Sequence, residues 1–302
     1  MKWISAACAL ALSLSVLPAG AAFNHAPTIE SELYETAEGV SLYGSFKTYD
    51  PEGDEVSVSV SQPPSKGRLE IDGLSFQYTP FPGESGEDPF TVTACDRYGN
   101  RSKETVLSVT IHSGAALPYF CDMDRNPYEY SALKLAEAGV MSGERIGGRL
   151  FFYPQREMNR GELIVLLLAC RGWDLELAPC INTGLENDAE IPLWLKPYIR
   201  CAIEKGIVLE GAFDTETIPT RAEAVVLCCR AAGIDDILKY RLSLADVDRI
   251  PDWAMESYLN LAAYRMLDLS DGYAYPSAAL DRAYAAALGW QLYKYAQAES
   301  AR

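Results

Sequence analysis

Three short stretches of the chain carry one motif: Asn159-Arg160-Gly161-Glu162, Thr220-Arg221-Ala222-Glu223 and Asp281-Arg282-Ala283-Tyr284. The three arginines are spaced 61 residues apart. Upstream of each motif lies a helical pattern that begins at a proline, where a missing N–H costs nothing: Pro127, Pro192 and Pro251. A period this regular predicts an array of helix–loop–helix units that bury a shared core.

Most of the repeated motif has a local structural explanation. Asn159 with Glu162, and Thr220 with Glu223, fit the capping box that satisfies the exposed N–H groups of a helix start. Asp281 keeps the cap without the reciprocal glutamate. Glycines 139 and 206 follow the first two upstream helices and predict left-handed caps there.

The arginine of the motif needs another explanation, because a cation at the first helical position is mildly disfavoured by the helix dipole. Two interpretations remain open. The arginine pairs with the Asp that begins a neighbouring repeat and locks the array, or it joins the helix N–H groups in a site for carboxylate or phosphate.

The order of these motifs resembles the S-layer homology family, of which we place three copies at residues 118–172, 183–234 and 243–297. Besides the arginine motifs, the resemblance rests on the following residues: Phe120-x-Asp122, Tyr128, Gly139-Val140-Met141-x-Gly143 and Phe152-x-Pro154; Asp188, Trp194, Gly206-Ile207-Val208 and Gly211-x-Phe213; Asp246-Val247, Trp253-Ala254, Gly272 and Tyr275-Pro276. Three positions depart from the family pattern: Tyr128 stands for Trp, Gly161 for Ala and Tyr284 for Glu.

The resemblance implies a pseudo-threefold helical prism whose grooves hold an anionic, often pyruvylated, secondary wall polysaccharide or peptidoglycan-linked polymer. It implies ligand contact for the motif arginines, and a secondary role in the groove for three upstream aspartates: Arg160, Arg221, Arg282, Asp122, Asp188 and Asp246. Two tryptophans, Trp194 and Trp253, either stack on a sugar face or fill the core. We expect binding to depend most on Arg221, then on Arg160 and least on Arg282.

Residues 23–113 show a different pattern. Short alternating runs such as Val56-Ser57-Val58-Ser59-Val60 are separated by Gly, Pro, Asp and Asn clusters, which predicts an all-β sandwich. This segment resembles the bacterial cadherin-like and immunoglobulin-like repeats of surface proteins, through Asp50-Pro51-Glu52-Gly53-Asp54, Gly67-x-Leu69, Phe76-x-Tyr78-x-Pro80 and Gly86-x-Asp88-x-Phe90. The fold prediction is therefore multidomain: an N-terminal sandwich and a C-terminal all-α repeat module.

The turns of the predicted sandwich are rich in carboxylates. Calcium prefers several oxygen ligands, and four residues are candidates: Asp50, Glu52, Asp54 and Asp96. The alternative is ordinary turn chemistry, in which Asp caps the turn and Gly takes the positive φ.

The N-terminus predicts export. A basic start, an apolar run and the small residues after Pro18 match a signal peptide over residues 1–22. Cys8 leaves with it, and the seven remaining cysteines cannot all pair within one chain. We expect most of them to be small buried hydrophobes, with one bridge open between Cys170 and Cys180.

Charge and missing motifs exclude several classes of function. The net charge of -16 leaves no basic face for nucleic acid. Only two histidines are present and no nucleophile, metalloprotease or phosphate-loop motif occurs, so we predict no enzyme. The predicted protein is secreted, has no transmembrane segment after cleavage, and is anchored to a bacterial wall or S-layer surface while its sandwich meets other surface proteins. Two alternatives stay open: an adhesin whose repeats are only structural and, more remotely, a wall-remodelling glycan hydrolase.

Overall fold

The computed structural model describes residues 24–113, 119–235, 242, 244–267 and 272–301. The predicted signal peptide at residues 1–22 lies outside these ranges. Within them, no helix has the length and apolar character that crossing a membrane requires.

The N-terminal part is a β-sandwich, as predicted. One sheet has four strands in the order β2-β9-β8-β5, with β2 parallel to β9 and the other pairs antiparallel. The second sheet has three antiparallel strands in the order β3-β7-β6. The short strands β1 and β4 pair with each other. The strands are β1 Thr28–Ile29, β2 Leu33–Ala37, β3 Leu42–Ser45, β4 Thr48–Tyr49, β5 Val56–Gln62, β6 Gly67–Asp72, β7 Ser75–Pro80, β8 Gly86–Asp96 and β9 Thr105–His112.

A buried hydroxyl–carboxylate pair explains several sequence motifs of the sandwich. The Tyr78 hydroxyl donates to Asp88 over 2.6 Å, and Asp88 also accepts the N–H groups of Ser65 and Lys66. Burial raises the pKa of Tyr78, and Asp88 raises it further. Gly67 lies against the Tyr78 ring, which any Cβ at that position would strike. Asp88 therefore ties the turn before β6 to the core.

The C-terminal part is helical, again as predicted. Its elements are α1 Glu129–Glu137, the hairpin β10 Glu144–Ile146 and β11 Arg149–Phe151, α2 Arg160–Cys170, α3 Lys196–Glu204, α4 Arg221–Ala232, α5 Asp252–Ala263 and α6 Arg282–Ser300. Short 3-10 helices lie at Trp173–Glu176, Asp188–Glu190 and Val247–Arg249.

The six α-helices of the described C-terminal residues pack in a closed ring. The three helices that begin at the motif arginines, α2, α4 and α6, contact one another at the centre. Each upstream helix packs on the central helix of the preceding repeat: α3 on α2, α5 on α4, and α1 on α6, which closes the ring. Gly289 permits the closure, since a Cβ there would lie 3.2 Å from Leu135 and 3.3 Å from the Cys170 sulfur.

The upstream helices end in the same left-handed turn. Gly139 and Gly206 both have φ 73°, as predicted for C-terminal caps. Arg265 takes this position after α5 with φ 57°, a conformation that is strained for a residue with a Cβ.

None of the seven cysteines in the described residues forms a disulfide. The predicted candidate bridge between Cys170 and Cys180 is therefore wrong for this structure. Cys170 is buried in the helical core, and burial raises its pKa together with that of Cys228. The thiols that face the core act as small apolar groups.

The two parts of the chain touch. Ala37 and Val40 of the sandwich join the hydrophobic core of the helices. His112 stacks on Tyr130 of α1 with ring centroids 6.3 Å apart. An open cleft of about 1090 Å³ runs beside this contact, lined by the edge strands β2 and β3 and by α6.

Candidate functional site

The starts of the three central helices form equivalent sites. Asn159 and Thr220 each accept the N–H of the glutamate three residues on, and each glutamate accepts the cap N–H in return. Asp281 accepts the N–H of Tyr284 over 2.7 Å without a reciprocal bond. The predicted capping boxes are confirmed.

Each helix start is also docked on the loop that precedes the next central helix. The first two N–H groups of each central helix donate to loop carbonyls over 2.8–3.0 Å. In α2, residue 160 donates to Thr217 and residue 161 to Thr215; in α4, residue 221 donates to Ala278 and residue 222 to Pro276. In α6, residue 282 donates to Arg156 and residue 283 to Pro154. These N–H groups are therefore occupied. In the interpretation of an anion site, the arginine side chains therefore have to bind the ligand without help from these N–H groups.

The three arginine side chains have different partners. Nη2 of Arg160 lies 2.7 Å from the Glu223 carboxylate of the next repeat, so this arginine links two repeats through a glutamate and not through the Asp that begins a repeat. Asp214 also lies near enough for the charge of Arg160 to lower its pKa, although hydrogen bonding from Thr217 lowers it more. This first site already contains two carboxylates beside its cation.

Arg282 is bound by backbone carbonyls. Its guanidinium donates to the carbonyls of Phe152 over 2.9 Å and Ser142 over 3.0 Å, and lies 4.7 Å from the Phe152 ring. Burial lowers the pKa of Arg282, and nearby Arg156 adds to that effect. Glu162, which is equivalent to Glu223, instead pairs with Arg156 over 2.6 Å.

Arg221 is the least committed of the three arginines. Nη2 lies 3.5 Å from Asp281, a long contact, and Nε is buried with no hydrogen-bond partner among the described residues. The guanidinium carbon lies 4.2 Å from the Tyr284 ring centroid and 5.5 Å from that of Tyr275. Aromatic rings hold this cation in place without neutralising it.

The upstream aspartates anchor the loops between helices. Asp122 accepts the N–H groups of Phe152 and Tyr153, and Asp246 accepts those of Ala274 and Tyr275. In the second repeat, Asn187 accepts the equivalent N–H, from Phe213. Asp188 instead binds Thr183 and Lys196. Asn187, and not the predicted Asp188, is therefore the residue equivalent to Asp122 and Asp246.

The two candidate tryptophans lie on the surface. Trp194 is 63% exposed and Trp253 is 59% exposed, so neither fills the core. Both stand twelve residues before the left-handed end of their helix, at Gly206 and Arg265. Leu195 follows Trp194 and lies against Gly161, next to Arg160.

Tyr128 does not occupy the tryptophan position. Counted from Gly139, its equivalents are the buried Leu195 and Ala254, and the tryptophan position holds Pro127. The departure from the family pattern at Gly161 also finds an explanation, because the larger Leu195 fills the space that a methyl group would take.

Stacked aromatic pairs lie at the docking loops, and of their members the sequence motifs included only Tyr275, without a role in binding. Tyr273 and Tyr275 stack with centroids 5.2 Å apart, as do Phe151 and Tyr153 at 6.1 Å. Tyr275 and Tyr153 have positive φ, 45° and 58°. The second repeat has Asp214 at this position. The spacing of 61 residues is the only signal that could have aligned them.

Three of the four candidate calcium ligands converge. Ligand oxygens of Asp50, Asp54 and Asp96 all lie within 4.8 Å of one another. Glu52 is not part of this group and pairs with His25 over 2.7 Å. Asp50 Oδ2 is buried without a hydrogen-bond partner, while Asp96 accepts amide N–H groups on both oxygens. The carboxylates of this cluster thus anchor turns, and one buried oxygen, Asp50 Oδ2, has no hydrogen-bond partner among the described residues.

Comparisons with known proteins bear on the sandwich. No curated protein matches the chain. Solved structures with local likeness include an endo-fucoidan hydrolase of glycoside hydrolase family 107 (18% identity, TM-score 0.26, 35% of this chain and 16% of that one). Others are the D00-D0 domain of intimin (20% identity, TM-score 0.24, 31% of this chain and 50% of that one) and the SrpA adhesin of Streptococcus sanguinis (16% identity, TM-score 0.23, 33% of this chain and 66% of that one).

These structural scores are too low to carry a conclusion, and the chain spans about a sixth of the fucoidan hydrolase. The family model described as a bacterial Ig domain matches residues 24–109. This range coincides with the sandwich, so the N-terminal part of the chain is a bacterial Ig-like domain.

Proposed function

We propose that this protein is a secreted, non-catalytic surface protein whose helical ring consists of S-layer homology repeats. The ring holds the protein on an anionic wall polysaccharide, and the Ig-like domain is displayed for contact with other surface proteins. The observation that carries the proposal is the cyclic packing of six helices, which presents an arginine at the start of each of three central helices.

The site at Arg221 suits an anionic ligand best. Its guanidinium has only one long contact with a carboxylate, at 3.5 Å, whereas Arg160 has a short one at 2.7 Å. An anion that binds Arg221 therefore does not have to displace a short ion pair. Trp253, in the first turn of the helix α5 that packs on α4, offers an exposed ring in the following repeat.

The net charge of -16 opposes long-range attraction of an anionic polymer. At physiological salt the Debye length is about 8 Å, so distant carboxylates are screened and local cations decide the affinity. The overall charge slows encounter more than it weakens the bound state.

The alternative function is that of an adhesin in which the repeats are purely structural. The Arg160–Glu223 pair and the carbonyl contacts of Arg282 favour it, because both arginines hold neighbouring repeats together. On this alternative Arg221 is a third such contact, and the Ig-like domain carries all the binding.

Sedimentation of the full chain with purified wall sacculi tests the proposal. We expect the protein to sediment with sacculi that carry their secondary polymer and to stay in solution with stripped sacculi. Arg221→Ala should weaken this binding, whereas Arg249→Ala, which removes an equal charge from an exposed position, should not. Equal binding to both kinds of sacculi would contradict the proposal.

A further inference from the structure

We infer that Tyr273 and Tyr275 form a platform on which a pyranose ring of an acidic polysaccharide stacks while an acidic group of the ligand meets Arg221. The inference rests on the proposed function and names the ligand class and a further contact of the same site. Neither tyrosine ring belongs to the arginine motif or to the tryptophan position.

The two rings have the geometry of a sugar platform. They lie nearly parallel, with an interplanar angle of 21° and centroids 5.2 Å apart, and each residue is 43% exposed. The Arg221 guanidinium carbon lies 5.5 Å from the Tyr275 centroid. A pyranose has an apolar C–H face that suits an aromatic surface and a polar edge that suits a cation beside it.

The backbone of Tyr275 is held in an unfavourable conformation. Its φ of 45° is in the left-handed region, where a residue with a Cβ is disfavoured and glycine is not. The Asp246 carboxylate fixes this conformation by accepting the Tyr275 N–H over 2.8 Å. Such strain is typical of residues that are placed for binding, because a glycine would serve the turn alone.

Polar atoms without partners lie around Arg221. Among the described residues, Arg221 Nε and the Tyr258 hydroxyl are both buried and make no hydrogen bond. Tyr258 is fully buried, which raises its pKa, and the nearby charges of Asp246 and Arg221 act on it in opposite directions. Buried polar atoms are normally satisfied, so these two donors lack an acceptor of the kind that a carboxylate would provide.

The repeats provide an internal comparison. Phe151 and Tyr153 form a second stacked pair, with φ 58° at Tyr153, beside Arg282 and its carbonyl partner Phe152. The loop docked at Arg160 has Asp214 instead, and a carboxylate there repels an acidic ligand. The platform therefore accompanies Arg221 and Arg282 and is missing from the site of Arg160.

Tyr275→Gly in the full chain tests the platform. Glycine tolerates the observed φ, so the melting temperature should stay unchanged or rise. Binding to polymer-bearing sacculi should fall about tenfold, and Tyr275→Phe, which keeps the ring, should bind like the wild type. Asp214→Ala should bind no worse than the wild type.

The outcomes separate the platform from the proposed function. Wild-type binding that is lost in Arg221→Ala but kept in Tyr275→Gly overturns the platform and leaves the wall-binding proposal intact. If the wild type does not bind the polymer, the platform and the wall-binding proposal are both overturned. If Tyr275→Gly lowers the melting temperature, Tyr273→Ala decides in the same assay: full binding overturns the platform, and weakened binding with an unchanged melting temperature supports it.

Discussion

The guanidinium of Arg160 lies 2.7 Å from the carboxylate of Glu223, 63 residues further along the chain. Glu223 also completes the capping box of α4, so a single carboxylate serves its own helix and the preceding repeat. Both side chains are partly exposed, at 24% and 30%, which limits the energy of the pair.

Arg160→Ala should therefore lower the free energy of unfolding by only about 0.5 kcal/mol. Because Glu223 occupies its guanidinium, polymer binding should stay unchanged, in contrast to the second rank predicted for Arg160 from the sequence motifs. Chemical denaturation measures the first quantity and sedimentation with sacculi the second. A double-mutant cycle with Glu223→Gln isolates the pair. A large loss of binding in Arg160→Ala would show that this arginine, too, contacts the ligand.

In the second repeat, mutations should separate the residue that caps the helix from the residue that contacts the ligand. Thr220→Ala removes the side chain that accepts the Glu223 N–H, and should cost about 1 kcal/mol of stability while binding persists. Arg221→Ala should weaken polymer binding about tenfold to a hundredfold, as expected for loss of a charge-assisted contact. If Arg221→Ala unfolds the helices instead, this arginine is a structural lock.

Replacing the strained residue at the end of α5 should stabilise the ring. Arg265 has φ 57° where the other two repeats have glycine at φ 73°. Arg265→Gly should raise the free energy of unfolding by about 0.5–1 kcal/mol, because relief of left-handed strain exceeds the added backbone freedom. The reverse change, Gly206→Ala, should destabilise by a similar amount. Thermal unfolding of both variants checks the prediction.

Calcium should stabilise the sandwich. The oxygens of Asp50, Asp54 and Asp96 cluster, and Asp50 Oδ2 is buried without a partner. Millimolar calcium should raise the melting temperature through preferential binding to the folded state, and Asp50→Asn should remove the increase. An equal increase with magnesium, or none with calcium, would leave turn anchoring as the only role of these carboxylates.

Stability should decrease with pH through Glu129. Burial raises the pKa of this glutamate to about 7, and the charge of Asp124 adds to the rise, against an ordinary value of 4.5. The folded state thus binds more protons than the unfolded state between these values, so stability is full below pH 4.5 and falls as pH rises towards 7. Melting temperatures across this range should show the fall. Glu129→Gln should flatten it, and the exposed Glu137→Gln should not.

The sequence allowed the architecture to be predicted because its signals are local or periodic. Capping boxes at Asn159 and Thr220, and left-handed glycines 139 and 206, depend on residues a few positions apart, and all are present. The spacing of 61 residues predicted equivalent units, and the docking loops at Thr215 and Pro276 obey it.

The contacts of the site depended on tertiary packing that no local pattern contains. The capping boxes gave no sign that Arg160 would pair with Glu223, since the pair forms only when two repeats are neighbours. Asn187 was overlooked because a side-chain amide does there what carboxylates do in the other repeats. The left-handed Tyr275 is fixed by Asp246, 29 residues away, so its own sequence neighbourhood looks ordinary.

The packing of α1 on α6 brings the two ends of the helical module together. The helices of this module can therefore be joined in a different order along the chain without changing their arrangement in space, so a circular permutant is feasible. A linker from residue 301 to residue 119, with new ends between α2 and α3, would keep every helix contact. Deleting α1 would instead uncover the apolar side of α6 around Gly289, where Leu135 of α1 lies against the central helix.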